Sequence, residues 1–193
     1  MKICLTIFVL LFSFSLVAED ISDFQIEGIS ILDSALDYFT EEEIKNNTKD
    51  YYNSKIFTPV ENMKLSSFKT YDVIDFSFLS ENFITQNKKN IIHSLNGILI
   101  YENNVENCYK KMDEIDKELL FLFKNAERRD KYTYKHSIDK TGKSTITDIH
   151  YVFKKGLITI ACYDYSKKSG YQDHLRVAIR TNKFLDWLQT AYD

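Results

Sequence analysis

Proline is almost absent, with one in 193 residues, and glycine is rare, with five, all isolated. With 44% hydrophobic residues beside so few turn formers, the chain can bury a core, which excludes disordered and low-complexity architectures. Isolated glycines supply no phosphate-cradling loop, and no Gly-x-Ser-x-Gly nucleophile elbow occurs. The four histidines, His93, His136, His150 and His174, are scattered, with neither His-x-His nor His-Glu-x-x-His spacing. No metal or other cofactor is therefore expected. A strong charge of one sign is missing too: 25 Lys and Arg stand against 28 Asp and Glu, for a net −3. That balance argues against a nucleic-acid partner bound through counterion release.

Beyond the first eighteen residues there is no long apolar run, so no stable membrane span is expected in the processed chain. Those eighteen read as a secretory signal peptide. Lys2 precedes the apolar stretch from Ile3 to Phe12, and a small residue, Ala18, stands before Glu19-Asp20. The expected organisation is residues 1–18 as signal peptide and 19–193 as one domain, exported to the periplasm or outside the cell. Aromatics are abundant at 15%, and Lys far outnumbers Arg. Ile, Asn, Phe, Tyr and Lys share AT-rich codons, so part of this bias reflects genome composition.

Cysteine is the next scarcity. Cys4 falls in the signal segment, leaving Cys108 and Cys162, an even number in an oxidising compartment. Val105, Cys108, Met112, Ile115, Leu119, Leu122 and Ala126 recur at spacings of three and four, the strongest helical stripe in the chain. Asn103 or Asn104 can cap it. Cys162 shares a strand face with Ile158 and Ile160. Both thiols point inward, so a helix-to-sheet disulfide is expected in preference to two buried free thiols.

Along the rest of the chain, Phe24–Ile29 alternates like a short strand ending at Gly28, and Ser30 to Asp33 fits a capping box opening a short helix through Phe39. Thr40-Glu41-Glu42-Glu43 is a second capping box, its acids suited to a helix N-terminus. Residues 46–70 read as a long irregular connection. Tyr71–Phe78 alternates as a strand, with Ile74, Phe76 and Phe78 on one face. Residues 91–101 are strand-like around Asn96-Gly97, and one long strand bulged at Gly97 is preferred to a hairpin. Asp139 to Lys143 is read as a three-residue hairpin loop with Gly142 left-handed, and Lys154-Lys155-Gly156 as a repeat of that device. These turns organise 132–138, 145–153 and 157–164 into an antiparallel meander. Asp173–Thr181 adds a strand with Leu175, Val177 and Ile179 on one side and Arg176 and Arg180 on the other. Phe184, Leu185 and Leu188, with Trp187, make a closing helix. The expected fold is α+β: an antiparallel sheet covered by one long amphipathic helix, short N-terminal helices and a C-terminal helix.

The stretch Phe24–Tyr38, with Cys108-Tyr109-Lys110-Lys111, Ala161-Cys162-Tyr163-Asp164-Tyr165-Ser166 and Asp173-His174-Leu175-Arg176, resembles a functionally uncharacterised family of small exported proteins from AT-rich marine bacteria. The resemblance spans most of the mature chain. It implies export and the cysteine pair, and no activity. The family pattern has Gly where Leu32 stands, so the first turn is expected to be built differently. A Gly-x-Ser stretch opening a helix is also similar to small outer-membrane assembly lipoproteins, whose lipidated Cys this chain lacks.

Asp148 and His150 share one strand face, a geometry open to metal binding or general acid–base work. The expected pairing, however, sets them on the face of Ile158, Ile160 and Cys162, where His150 is a core or edge histidine. Glu41-Glu42-Glu43 reads as a solvated, dipole-stabilised run. Arg128-Arg129 with Lys131 follows the helix and suits its C-terminal dipole. The segment from Tyr163 to His174 gathers Tyr163, Asp164, Tyr165, Tyr171, Asp173 and His174 on one loop, and tyrosine-rich loops suit recognition. These residues are the candidate binding site. The expected function is a non-catalytic binding or envelope-associated module for an envelope or extracellular partner. The alternative is a small periplasmic hydrolase using Asp148, His150 or Asp164.

Overall fold

The computed structural model describes residues 20–80, 89–102 and 104–192. Residues 1–18, read above as a signal peptide and holding Cys4, and the candidate cap Asn103 lie outside the described residues. Among the described residues the fold is α+β, built on one seven-stranded sheet in which every neighbouring pair is antiparallel. The strands are β1 (Phe57–Met63), β2 (Val73–Leu79), β3 (Ile92–Ile100), β4 (Glu127–Lys135), β5 (Thr145–Phe153), β6 (Gly156–Asp164) and β7 (His174–Thr181). Their spatial order is β1-β2-β3-β7-β6-β5-β4, so β7 returns to the centre between β3 and β6. Three helices accompany them: α1 (Glu41–Asn47), α2 (Val105–Leu122) and α3 (Asn182–Leu188).

The main core lies on one side of the sheet. Strand alternation sends Leu175, Val177 and Ile179 of β7, and Ile158, Ile160 and Cys162 of β6, to this side, where all six are buried. The apolar stripe of α2 meets them through Cys108, Met112, Ile115 and Leu119. The sulfurs of Cys108 and Cys162 lie at disulfide distance, with Cα atoms 5.9 Å apart. Asn104 caps α2, accepting from the Asn107 N–H.

The capping box of α1 forms as read: the Thr40 hydroxyl accepts from Glu43 N at 3.2 Å, and the Glu43 carboxylate accepts from Thr40 N at 2.8 Å. Other expectations give way. Phe24–Ile29 is no strand: Ile26 and Ile29 exchange two 3.0 Å backbone bonds across a tight turn, with Glu27 and Gly28 both at positive φ. The Glu27 carboxylate then accepts from the backbone N–H groups of Lys69, Thr70 and Tyr71. Only half of the Ser30–Asp33 capping box forms, from Ser30 N to the Asp33 carboxylate. Leu32 takes φ +71°, a left-handed conformation suited to glycine, and the chain makes a short 3-10 turn (Ala35–Asp37) capped by Ser34 instead of a longer helix.

The connection 46–70 contains β1, at a sheet edge where Pro59 withholds no needed ladder bond. Residues 92–100 form one strand as preferred, but without a bulge at Gly97; the irregularity comes where Ser77 pairs with Ser94 and Phe78 with Ile92. Gly97 instead makes room for the Tyr71 ring, which a Cβ there would approach to 2.7 Å. The 139–143 loop is wider than three residues, since His136 N bonds Ser144 O, while Gly142 is left-handed as expected. In α3 the buried residues are Phe184 and Trp187 rather than Leu185 and Leu188.

Arg128 and Arg129 belong to β4 and do not follow the helix end as a dipole partner. The Arg128 guanidinium makes two 2.9 Å bonds to the Asp116 carboxylate on α2. Most consequential is the β5–β6 turn. Phe153 pairs directly with Gly156 across a two-residue turn, so Asp148 stands opposite Ala161 and His150 opposite Thr159. The expected face is wrong. One residue less in the turn flips every side chain of β5 relative to β6, and Asp148 and His150 face away from Ile158, Ile160 and Cys162.

Candidate functional site

That second face is polar where the first is apolar. At one end of it α3 packs, forming a small cluster of Phe57, Leu79, Phe184, Trp187 and Ala191. The remainder carries the other half of each strand's alternation. Along β7 these positions are His174, Arg176, Ala178 and Arg180. The register sets Arg176 beside Ala161 and then Asp148, Ala178 beside Thr159 and then His150, and His174 beside Tyr163. Small side chains thus occupy the middle of the sheet with long ones around them, which leaves a cavity of about 100 Å³. Thr159, Ala161 and Ala178 form its floor; Arg176, Arg180 and Tyr163 stand on one side, Tyr134, Asp148 and His150 on the other.

On the β5 side the polar groups satisfy one another. The Asp148 carboxylate accepts from the Tyr134 hydroxyl at 2.9 Å and lies 3.1 Å from His150 Nε2. His150 Nδ1 lies 3.3 Å from the Thr159 hydroxyl. Asp148, His150 and Thr159 therefore form a hydrogen-bonded chain. Thr159 sits mid-strand, paired with His150 on one side and Ala178 on the other, so its backbone is committed to the ladder and supplies no free N–H for an oxyanion. The chain orients His150.

The β7 side differs. Among the described residues neither Arg176 nor Arg180 makes an ion pair. Among the described residues Arg180 donates only to the Asn96 side-chain amide oxygen, at 3.4 Å, and Arg176 lies over the Tyr163 ring, 5.3 Å from its centroid. Burial holds the Arg180 guanidinium below its ordinary range, and the like charge of Arg176 adds to that. For Arg176 burial acts in the same direction but is more than offset by Tyr163 and Asp75, and its pKa is raised. Its Nε is buried with no hydrogen-bond partner.

His174 presents a matching deficiency. Its Nδ1 lies 3.0 Å from the Gln172 carbonyl oxygen, which only accepts, so Nδ1 carries the proton and Nε2 is the acceptor. Nε2 is buried without a donor, and burial pushes the imidazole down to about 4, so it is neutral near pH 7. Its ring stacks on Tyr163 at 4.4 Å. Tyr165 continues the column 6.1 Å from Tyr163, and Tyr171 lies 5.1 Å from Tyr165 with 59% of its surface exposed. The Tyr165 hydroxyl is 3.2 Å from His136 Nε2.

Of the candidate residues read from the sequence, Tyr163, Tyr165, Tyr171 and His174 come together in this column. Asp164 and Asp173 do not join it. Asp164 follows Cys162 onto the helix side, where burial and the charges of Asp173 and Glu106 raise its pKa. The Asp173 carboxylate is buried and accepts from Tyr165 N at 2.7 Å, pinning the loop. The sequence reading did not select Arg176 and Arg180, although a signal was there: Arg occurs four times in the chain, twice on one face of one strand. Among the described residues no group of three or more His, Cys, Asp or Glu side chains converges as a metal site, and no helix is long and apolar enough to cross a membrane. Compared with protein-family models, curated proteins and solved structures, the chain matches none.

Proposed function

We propose that this protein is an exported, non-catalytic binding module, and that it holds a polar envelope or extracellular ligand along β7, on the part of the sheet that no helix covers among the described residues. One observation carries the reading. Among the described residues, the two buried side-chain polar atoms without a partner are His174 Nε2 and Arg176 Nε. They stand two residues apart on the same strand face. Buried polar groups are nearly always satisfied, because leaving one unpaired costs about 1–3 kcal/mol. A ligand offering an acceptor to Arg176 and a donor to His174 satisfies both.

The N-terminal pattern and the Cys108–Cys162 pair support export into an oxidising compartment. On this reading α2, α1 and the N-terminal turns are the structural cover of the opposite face, as the buried stripe of α2 suggests, and α3 closes one end of the binding face. The exposed ring of Tyr171 extends the contact surface.

The test is native mass spectrometry of the protein isolated from its own envelope fraction. A bound small molecule is expected, carried less well by Tyr171→Ser while the melting temperature holds. Ligand-free protein, or a Tyr171→Ser variant that melts much lower, counts against the reading. A second reading, a small periplasmic hydrolase, draws on the Asp148–His150–Thr159 chain, with Asp164 facing away on the other side. It requires turnover of an ester or phosphoester that His150→Asn abolishes.

A further inference from the structure

We propose that the cavity over Ala161 and Ala178 is an oxyanion site, in which Arg176 and Arg180 hold the carboxylate, phosphate or sulfate group of a small ligand. This rests on the reading that the ligand lies on the uncovered sheet face, and it names the ligand's chemistry.

Charge is the first argument. Two guanidinium groups line a cavity that contains one carboxylate, Asp148, and that carboxylate is already engaged by Tyr134 and His150. Elsewhere the fold pairs its arginines: Arg128 with Asp116 and Asp130, Arg129 with Glu127. On the far flank of β7 the register sets Asp75 beside Asn96 and then Ala178, and its charge and that of Glu61 act on Arg176 without an ion pair forming; a bound anion adds the directly hydrogen-bonded counter-charge that neither Asp75 nor Asp148 gives these guanidinium groups. Planar guanidinium forks suit oxyanions because they present paired N–H donors.

Geometry is the second. Positions 176 and 180 lie on one side of β7, roughly 13 Å apart along the strand at about 3.3 Å per residue. Alanine stands between them, and both side chains line the same space. At about 100 Å³ the cavity is smaller than the roughly 300–1,000 Å³ of a whole-ligand pocket. It suits the anionic group alone. The rest of the ligand then passes Tyr163 toward His174, whose free acceptor matches a hydroxyl or amine donor.

Calorimetric and melting titrations of the purified protein with sodium phosphate, sulfate and acetate, at constant ionic strength, test the assignment. At least one of the three is expected to bind and to raise the melting temperature. Arg176→Met and Arg180→Met should each weaken that binding about tenfold or more, the loss expected for charge-assisted hydrogen bonds. Ala161→Leu keeps both charges but fills the floor, and it should abolish binding as well. If an arginine variant fails to fold, Ala161→Leu and the wild-type titrations still decide. No response to any of the three anions, or equal binding by wild type and variants, overturns the inference. The two readings separate by the mass of the native ligand. A neutral ligand retained by the wild type leaves the binding-face reading standing and removes the oxyanion site; an anionic one lost in Arg176→Met supports both.

Discussion

Replacing Cys108 or Cys162 by alanine tests how the apolar half of the molecule is fastened. The two cysteines are 54 residues apart in sequence, and each is fully buried. Between them lie the rest of α2, the strands β4 and β5 and most of β6, so a bond there closes a loop through three of the seven strands. In the chain-entropy model a loop of this length restricts the unfolded state by about 4 kcal/mol. Either single substitution removes the whole of that term, and the second removes nothing further beyond a buried sulfur. Each single variant should therefore lose about 4 kcal/mol, and the double variant should lie within about 1 kcal/mol of either. At roughly 3 °C per kcal/mol for a domain of this size, melting should fall by on the order of 10 °C. Urea unfolding followed through the single tryptophan, Trp187, gives the free energies. Dithiothreitol should bring the wild type down to the double variant. Two thiols labelled in the unfolded, unreduced protein would refute the reasoning, as would a wild type indifferent to reductant.

Acid should weaken the fold in a particular window. Burial pushes His93 and His174 down to about 4, so the folded state resists protons that the unfolded chain takes up near 6.5. Their contribution is fully present above pH 6.5 and drains as pH falls toward 4, by on the order of 3 kcal/mol at most for His174 and by less for His93, which solvent screens more. Glu27, held low by three backbone donors that outweigh its partial burial, loses its contribution only at more acidic pH. A urea midpoint unchanged between pH 7 and 4.5 would contradict this assignment. Gly156→Ala should cost about 3 kcal/mol, the upper end for overpacking, because the new methyl overlaps the Arg180 carbonyl oxygen and the Ile21 side chain. An unfolding free energy within 0.5 kcal/mol of wild type, roughly the scatter of a neutral surface change, would show that the two strands spread without penalty.

Gly156 also explains what could be read from the residues and what could not. The stripe from Val105 to Leu119 and the alternation of Leu175, Val177 and Ile179 each follow one period, so helix, strand and inward thiols were legible locally. The faces of β5 were not. Reading Lys154-Lys155-Gly156 as a three-residue loop gives the glycine a turn role, but its rarity here comes from a neighbour distant in sequence: Arg180's backbone fills the space a Cβ would need. That is a tertiary constraint without a local signature. With the parity reversed, Asp148 and His150 were assigned to the core face, and the polar face opposite Arg176 and Arg180 had no visible partner strand. Leu32 shows the same limit, since nothing in a leucine announces a left-handed backbone. β1 was missed because Pro59 argues against a central strand but is tolerated at an edge.

The proposed ligand site on the polar sheet face stands or falls with Arg176 and Arg180. A crystal structure of the protein grown in phosphate tests it most directly. One oxyanion is expected over Ala161 and Ala178, bonded to both guanidinium groups, with Arg176 Nε satisfied. A phosphate-grown crystal with only water in that cavity, and both arginines turned out to solvent, would contradict it.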